Sequence, residues 1–122
     1  MYEVCVRMGF SAAHNLRNYK GKCEALHGHN YQVEVAIRGE KLENGGMLID
    51  FSHIKSLMKE IIQRLDHTYL NEIVPFDIEE PSCENISRYI FQELKKRLPS
   101  NLKLYRVTVW ESDDTCSSFL EP

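Results

Sequence analysis

The chain has 122 residues, of which 43% are hydrophobic and 27% charged, and its net charge is −3. This length fits one domain, residues 1–122, that buries a core without disulfide staples, and the negative charge argues against a nucleic-acid binder. The four cysteines are scattered and form no CxxC pair, the N-terminus is unlike a signal peptide, and no apolar run reaches about 18 residues. We therefore expect a cytoplasmic protein with free thiols.

Two strands are predicted in the first third of the chain. Residues 2–10 alternate between apolar and polar side chains, and residues 31–38 repeat the pattern. Such alternation is typical of strands with one buried face. Gly45-Gly46 then marks a turn.

The rest of the chain predicts two helices and two more strands. Apolar residues at helical spacing indicate a helix over 54–65, with Asp50 or Ser52 as its N-cap, and a second helix from Ser82 to Leu98 between Pro81 and Pro99. Residues 104–111 and 116–120 read as closing strands. The order ββααββ predicts an α+β fold with a four-stranded antiparallel sheet and two helices on one face. Because such a sheet has open edges, we expect a homo-oligomer.

The segment His27-Gly28-His29 is the strongest chemical feature of the sequence. Residues i and i+2 of an extended chain project to one face, so both imidazoles point the same way. If the first two strands form a hairpin, His14 joins them near its turn, although a bulge at residues 12–13 would turn it away. Three imidazoles leave a zinc ion one open position, as catalytic sites do. The alternative is a chance His-x-His pair within a strand.

Cys23 lies four residues before His27, in the loop between the first two strands. A nearby cation favours the thiolate form, which is a usable base. Two alternatives stay open: an inert thiol, or a fourth ligand that closes the metal site.

Two further groups are candidates for acid–base chemistry or ligand binding. Asp66-His67 directly follows the first predicted helix, either as an acid–base pair or as a polar helix end where histidine favours the dipole. Glu111 ends the strand 104–111 on its apolar side. A carboxylate there needs a partner, such as the two donors of a guanidine-like ring edge, unless it is simply exposed.

Six motifs follow one another along nearly the whole chain: FSAAH at 10–14, CxxxHGHNY at 23–31, IDF at 49–51, LDHxxLN at 65–71, PSCEN at 81–85 and WE at 110–111. Together they resemble the 6-pyruvoyl-tetrahydropterin synthase family, and more closely its bacterial branch, the 6-carboxy-tetrahydropterin synthases. The three residues between Cys23 and His27 match the carboxy-forming branch, since the pyruvoyl-forming enzymes carry a longer insert here.

The resemblance implies a set of metal ligands and catalytic groups. Three histidines match the zinc ligands of the family: His14, His27 and His29. Cys23 matches its catalytic base, and His67 its proton-relay histidine, assisted by Asp66 or Glu111.

The resemblance also implies how a pterin is bound. Glu111 matches the carboxylate that binds the 2-amino and ring N–H edge of the pterin. Ser82 and Cys83 fall where the family has hydroxyl residues that contact the ring, and Cys83 departs from that pattern. Arg17, Lys20 and Lys22 are candidates to meet a triphosphate, or else form a solvated basic loop.

The family fold and activity follow as expectations. The resemblance implies the tunnelling fold, assembled as trimers or hexamers with active sites between subunits. It implies the conversion of 7,8-dihydroneopterin triphosphate to 6-carboxy-5,6,7,8-tetrahydropterin, with release of acetaldehyde and triphosphate, early in queuosine biosynthesis. The alternatives are a pyruvoyl-forming synthase, an aldolase-like activity on dihydroneopterin without the phosphates, and a non-catalytic zinc-binding oligomer.

Overall fold

A long antiparallel hairpin forms the centre of the computed structural model, which describes all residues from 1 to 122. Strand β1 (Tyr2–His14) pairs with β2 (His27–Gly39) in continuous register, with no bulge before His14. The predicted hairpin is confirmed, and β1 continues four residues beyond the predicted end. Since side chains alternate along a strand, His14 lies on the same face as the buried Val6 and Phe10.

Two helices pack on that face. Helix α1 (Phe51–Ile62) begins after Asp50, whose side chain accepts a hydrogen bond from the Ser52 N–H, so Asp50 rather than Ser52 is the cap. Helix α2 (Cys83–Arg97) begins after Ser82, whose hydroxyl accepts from the Asn85 N–H. Both predicted helices are confirmed, although α1 ends three residues early, and Leu65 is fully buried in the turn that follows.

The sheet has five strands rather than the four predicted. Strands β4 (Lys103–Trp110) and β5 (Cys116–Phe119) continue the antiparallel pairing beyond β2. The short β3 (Thr68–Tyr69) adds a parallel pair against residues 12 and 13 of β1, which gives the order β3-β1-β2-β4-β5. The predicted four-stranded antiparallel sheet is therefore wrong, because two residues are too few to show a strand pattern in the sequence.

The two faces of the sheet differ in chemistry. The helix-covered face carries one hydrophobic core of 23 buried residues. The opposite face is polar, and Glu34 binds both Arg7 and Arg106 there, at 2.9 and 3.0 Å. The hydrogen bond from Arg7 is the largest cause of a lowered pKa of Glu34. None of the helices is long and apolar enough to cross a membrane.

Both edges of the sheet are open. On its outer side, β1 is paired only at residues 12 and 13, where β3 lies. Strand β5 pairs only with β4. Each edge therefore presents unpaired backbone N–H and C=O groups to a further strand.

Candidate metal centre

Three histidine rings meet where β1 ends and β2 begins. The strand register pairs His14 with His27, and His29 lies two residues further along β2. The ring centroids are 4.7 to 5.1 Å apart, and one ring nitrogen from each histidine lies within 4.8 Å of the others. His14 is 3% exposed, so the cluster is anchored in the core.

Backbone carbonyls fix the tautomer of two of these rings. His14 Nδ1 lies 2.7 Å from the Pro81 carbonyl oxygen, and His27 Nδ1 lies 2.8 Å from that of Ala25. A carbonyl oxygen only accepts, so each Nδ1 carries the proton and donates. In the neutral rings, each Nε2 is then left with a bare lone pair.

The two bare nitrogens face each other at close range. His14 Nε2 and His27 Nε2 are 3.1 Å apart. Two lone pairs at this distance repel unless a cation lies between them. Tetrahedral zinc with Zn–N bonds of about 2.0–2.1 Å holds its nitrogen ligands about 3.3 Å apart, so this pair fits such an ion.

His29 is the third ring of the cluster. Its Nε2 is buried without a hydrogen-bond partner, and it lies 3.8 Å from Glu111 Oε2. Burial lowers the pKa of His29, and the negative charge of Glu111 opposes this effect. A neutral imidazole is the form that binds metal, so the three rings fit a divalent metal ion.

A cavity of about 290 Å³ opens beside His14 and His27. The start of α2, the β4–β5 hairpin and the β1–β2 loop form its walls. The residues that line it from those three elements are Ser82, Cys83, Glu84, Glu111, Thr115, Cys116, Ser117, Leu16, Tyr19 and Glu24. The histidine cluster and this pocket therefore form one continuous site.

Glu111 and Cys83 are bonded to each other inside the pocket. Cys83 Sγ lies 3.5 Å from Glu111 Oε2. Burial, and next the nearby charge of Glu111, raise the pKa of Cys83 to about 12. The thiol therefore keeps its proton at neutral pH and donates it to the carboxylate.

Cys23 and Glu24 differ in their relation to the pocket. Cys23 is exposed in the loop 15–26 and does not line the cavity. Its neighbour Glu24 does, with Oε1 accepting from the Leu16 N–H at 3.1 Å and lying 3.9 Å from His27 Nδ1. Sequence reasoning missed Glu24, although its position three residues before His27 is a signal that could have found it.

Asp66 and His67 lie on the other face of the sheet. Asp66 Oδ1 accepts from the Ser11 N–H at 2.9 Å, which is the main cause of a lowered pKa of Asp66, and it lies 3.0 Å from His67 Nδ1. The His67 side chain is 82% exposed, on a left-handed backbone with φ of 58°. The pair lines a separate hollow with Ser11 and Gln32, which have the opposite parity to His14 and His27 or His29 in their strands, so one copy of the chain does not bring this pair to the pocket.

The sequence profile of the family described as 6-pyruvoyl tetrahydropterin synthase matches residues 3–122. The chain belongs to this family. A protein of Archaeoglobus fulgidus, provisionally named 6-carboxy-5,6,7,8-tetrahydropterin synthase, is 43% identical over 91% of this chain and 89% of the relative. Dihydroneopterin monophosphate aldolase of Pyrococcus furiosus is 33% identical over 92% of this chain and 91% of the aldolase. The structure of the Caenorhabditis elegans 6-pyruvoyl tetrahydropterin synthase is similar, with a TM-score of 0.80, 29% identity and coverage of 100% and 98% of the two chains.

In this member of the 6-pyruvoyl tetrahydropterin synthase family, the Arg17 side chain binds other groups of the same chain. The Arg17 guanidinium donates to the carbonyls of Asn71, Phe76 and Glu79, and pairs with Glu80 at 3.3 Å. Its donors hold the segment before α2 in place. A contact of Arg17, Lys20 or Lys22 with a triphosphate stays a prediction.

Proposed function

We propose that the chain is a zinc-dependent lyase that converts 7,8-dihydroneopterin triphosphate to 6-carboxy-5,6,7,8-tetrahydropterin, releasing acetaldehyde and triphosphate, in queuosine biosynthesis. The observation that carries this proposal is the three-imidazole cluster, which opens on the same pocket as the Glu111 carboxylate. The name of the Archaeoglobus relative and the short spacing from Cys23 to His27 support the carboxy-forming reaction.

The proposed ligands of zinc are His14, His27 and His29. The Pro81 and Ala25 carbonyls orient the rings of His14 and His27 with their Nε2 atoms toward each other, which supports this assignment. A set of three imidazoles leaves a fourth position open, where bound zinc supplies a Lewis acid for the hydroxyl groups of the substrate side chain.

Glu111 is the proposed anchor for the pterin ring. A carboxylate matches the 2-amino group and the adjacent ring N–H, which donate two parallel hydrogen bonds. The Cys83 thiol donates to Glu111 Oε2, so Cys83 orients the carboxylate in addition to its expected contact with the ring. The Ser82 hydroxyl accepts from the Asn85 N–H and keeps its own proton to donate to a ligand.

Cys23 and the Asp66-His67 pair take part in the proposed reaction across a boundary between subunits. The Cys23 thiolate removes a carbon-bound proton, and His67, oriented by Asp66, relays protons as triphosphate leaves. Neither group lines the pocket of its own chain, and the open edges of β1 and β5 offer a way for copies to pair as trimers or hexamers. The unpaired thiols support a reducing, cytoplasmic location.

A second candidate function is a retro-aldol cleavage of dihydroneopterin that carries fewer phosphates or none. Three carboxylates line the pocket, those of Glu24, Glu84 and Glu111, and no lysine or arginine does. This charge disfavours a triphosphate within the cavity itself. The 33% identical Pyrococcus relative is named as an aldolase of dihydroneopterin monophosphate. In this reaction, Glu24 would serve as the base beside the histidine cluster.

Product analysis of the zinc-loaded protein tests these proposals. Incubation with dihydroneopterin triphosphate should give 6-carboxytetrahydropterin and acetaldehyde by mass spectrometry. A pyruvoyl product without acetaldehyde would identify the other branch of the family. Turnover of dihydroneopterin or its monophosphate alone would favour the aldolase, and no turnover of any of them would favour a non-catalytic zinc-binding oligomer.

Three variants assign the base. Cys23→Ala should keep its zinc and lose turnover of the triphosphate, whereas Cys5→Ala, which removes another exposed thiol, should stay active. Loss of activity in Glu24→Gln with activity kept in Cys23→Ala would instead assign the base to Glu24.

A further inference from the structure

Strand β5 presents alternate residues to the two faces of the sheet, and this alternation orients Ser117. The Phe119 ring packs on Phe91 of α2, with ring centroids 5.0 Å apart. The Ser118 hydroxyl lies 2.6 Å from the Thr108 hydroxyl on the polar face. Because side chains alternate along a strand, Ser117 faces the same side as Phe119, toward the helices and the pocket that it lines.

Of the three hydroxyl groups on its side of the pocket, only that of Ser117 makes no hydrogen bond within the chain. The α2 and β4–β5 walls carry three hydroxyl residues. The Ser82 hydroxyl accepts from the Asn85 N–H, and the Thr115 hydroxyl is bonded to that of Ser112. The Ser117 hydroxyl has no hydrogen-bond partner within the chain, and both its proton and its lone pairs are free for a ligand.

The strand register sets the distance between Ser117 and Glu111. Ser117 pairs with Val109, and Glu111 lies two residues beyond Val109 on the same face. Diagonal neighbours of this kind are about 7–8 Å apart, a span that one flat bicyclic ring can bridge. Glu111 only accepts when it is ionised, whereas Ser117 can also donate.

We propose that Ser117 is a substrate-contacting residue that donates a hydrogen bond to an acceptor atom of the ligand ring while Glu111 accepts from the ring's amino and N–H donors. The pair would select a ring that carries donors and an acceptor on neighbouring positions, as a 2-amino-4-oxo heterocycle does. A ring without the acceptor would leave the Ser117 proton unpaired in the pocket, which is unfavourable. This inference rests on the proposed function, because it takes the pocket as the ring-binding site.

Titration of the zinc-loaded protein with neopterin, followed by fluorescence, tests the inference. The Ser117→Ala variant should bind neopterin roughly 3- to 10-fold more weakly, as expected for loss of one neutral hydrogen bond. Ser117→Thr keeps the hydroxyl and should bind within about 2-fold of the wild type. Ser118→Ala is the matched control, since it removes the neighbouring hydroxyl from the opposite face and should leave neopterin affinity unchanged.

The outcomes separate this inference from the proposed function. Wild-type protein that does not bind neopterin would overturn both. Normal binding by the wild type, with Glu111→Ala weakened and Ser117→Ala unchanged, would overturn the role of Ser117 alone. Equal weakening in the Ser117→Ala and Ser118→Ala variants would also overturn it, because the effect would then come from a disturbed hairpin. Unchanged melting temperatures exclude misfolding as the cause of any loss.

Discussion

Removal of one imidazole from the three-histidine cluster should abolish the stabilisation that zinc gives to the fold. In the His27→Ala variant, the Nε2 atom that lies 3.1 Å from His14 Nε2 is lost. Two imidazoles are a poor site for zinc, which takes three or four protein ligands in proteins. The wild type should therefore become more stable when zinc is added, and the variant should not.

The size of the effect follows from linkage. Free zinc at a thousand times its Kd adds about 4.1 kcal/mol to the free energy of unfolding of a single-site protein. Unfolding entropy is about 2.1 cal/mol/K per residue, which for this chain of 122 residues is roughly 250 cal/mol/K. The melting temperature of the wild type should then rise by roughly 15 °C between chelator-treated and zinc-loaded protein.

Differential scanning fluorimetry with and without zinc, together with metal analysis of the dialysed protein, measures this prediction. His53→Ala is the matched control, because His53 is an exposed histidine of α1 outside the cluster. It should keep the full thermal shift and one zinc per chain. Stoichiometric zinc in His27→Ala, or no thermal shift in the wild type, would refute the ligand assignment.

Four further predictions concern the surroundings of the cluster. Glu111→Ala should weaken pterin binding by roughly 10-fold or more, as loss of charge-assisted hydrogen bonds does, and unchanged affinity in a fluorescence titration would remove Glu111 from the anchor role. Iodoacetamide should modify the exposed Cys23 and Cys116 quickly and Cys83 slowly, because Cys83 is buried and its pKa is raised to about 12; rapid modification of Cys83, seen by peptide mass spectrometry, would contradict this. Its arginine partners hold the pKa of Glu34 below the ordinary 4.5, so the ionised carboxylate stabilises the fold above that pH. The difference in free energy of unfolding between the wild type and Glu34→Gln, measured by urea unfolding, should therefore shrink as the pH falls through the lowered pKa. Arg17→Met should lower the free energy of unfolding by about 1–3 kcal/mol, since carbonyls lose their donors, while zinc content stays normal.

The elements with a long periodic pattern were predictable from the sequence. Apolar spacing predicted both helices, and the Asp50 and Ser82 caps lie at their starts. Alternation predicted the β1–β2 hairpin and, through it, the meeting of the three histidines. The short β3 was not predictable, because its pairing with β1 depends on the path of the chain after α1 and not on a local pattern.

The site was predictable only in part, for a related reason. Side-chain parity indicates the face on which Glu111 lies, but it carries no information on loops. The course of the loop 15–26 decides that Glu24 lines the pocket and that Cys23 does not. Likewise, the turn that aims His67 away from His14 depends on a left-handed residue that the sequence did not signal.

The hydrogen bond from His14 to the Pro81 carbonyl connects the proposed metal site to the wall of the proposed ring-binding site. Pro81 directly precedes the Ser82 cap of α2, and the next residue, Cys83, holds Glu111. A metal ion that fixes the His14 ring therefore also fixes the wall against which a ring ligand would lie. Such coupling is reciprocal, so we expect the ring ligand to tighten metal binding by the same factor by which the metal tightens ring binding. The protein would then hold its two ligands cooperatively, because the segment from Pro81 to Cys83 connects His14 to Glu111 in addition to any direct contact between the metal and the ligand.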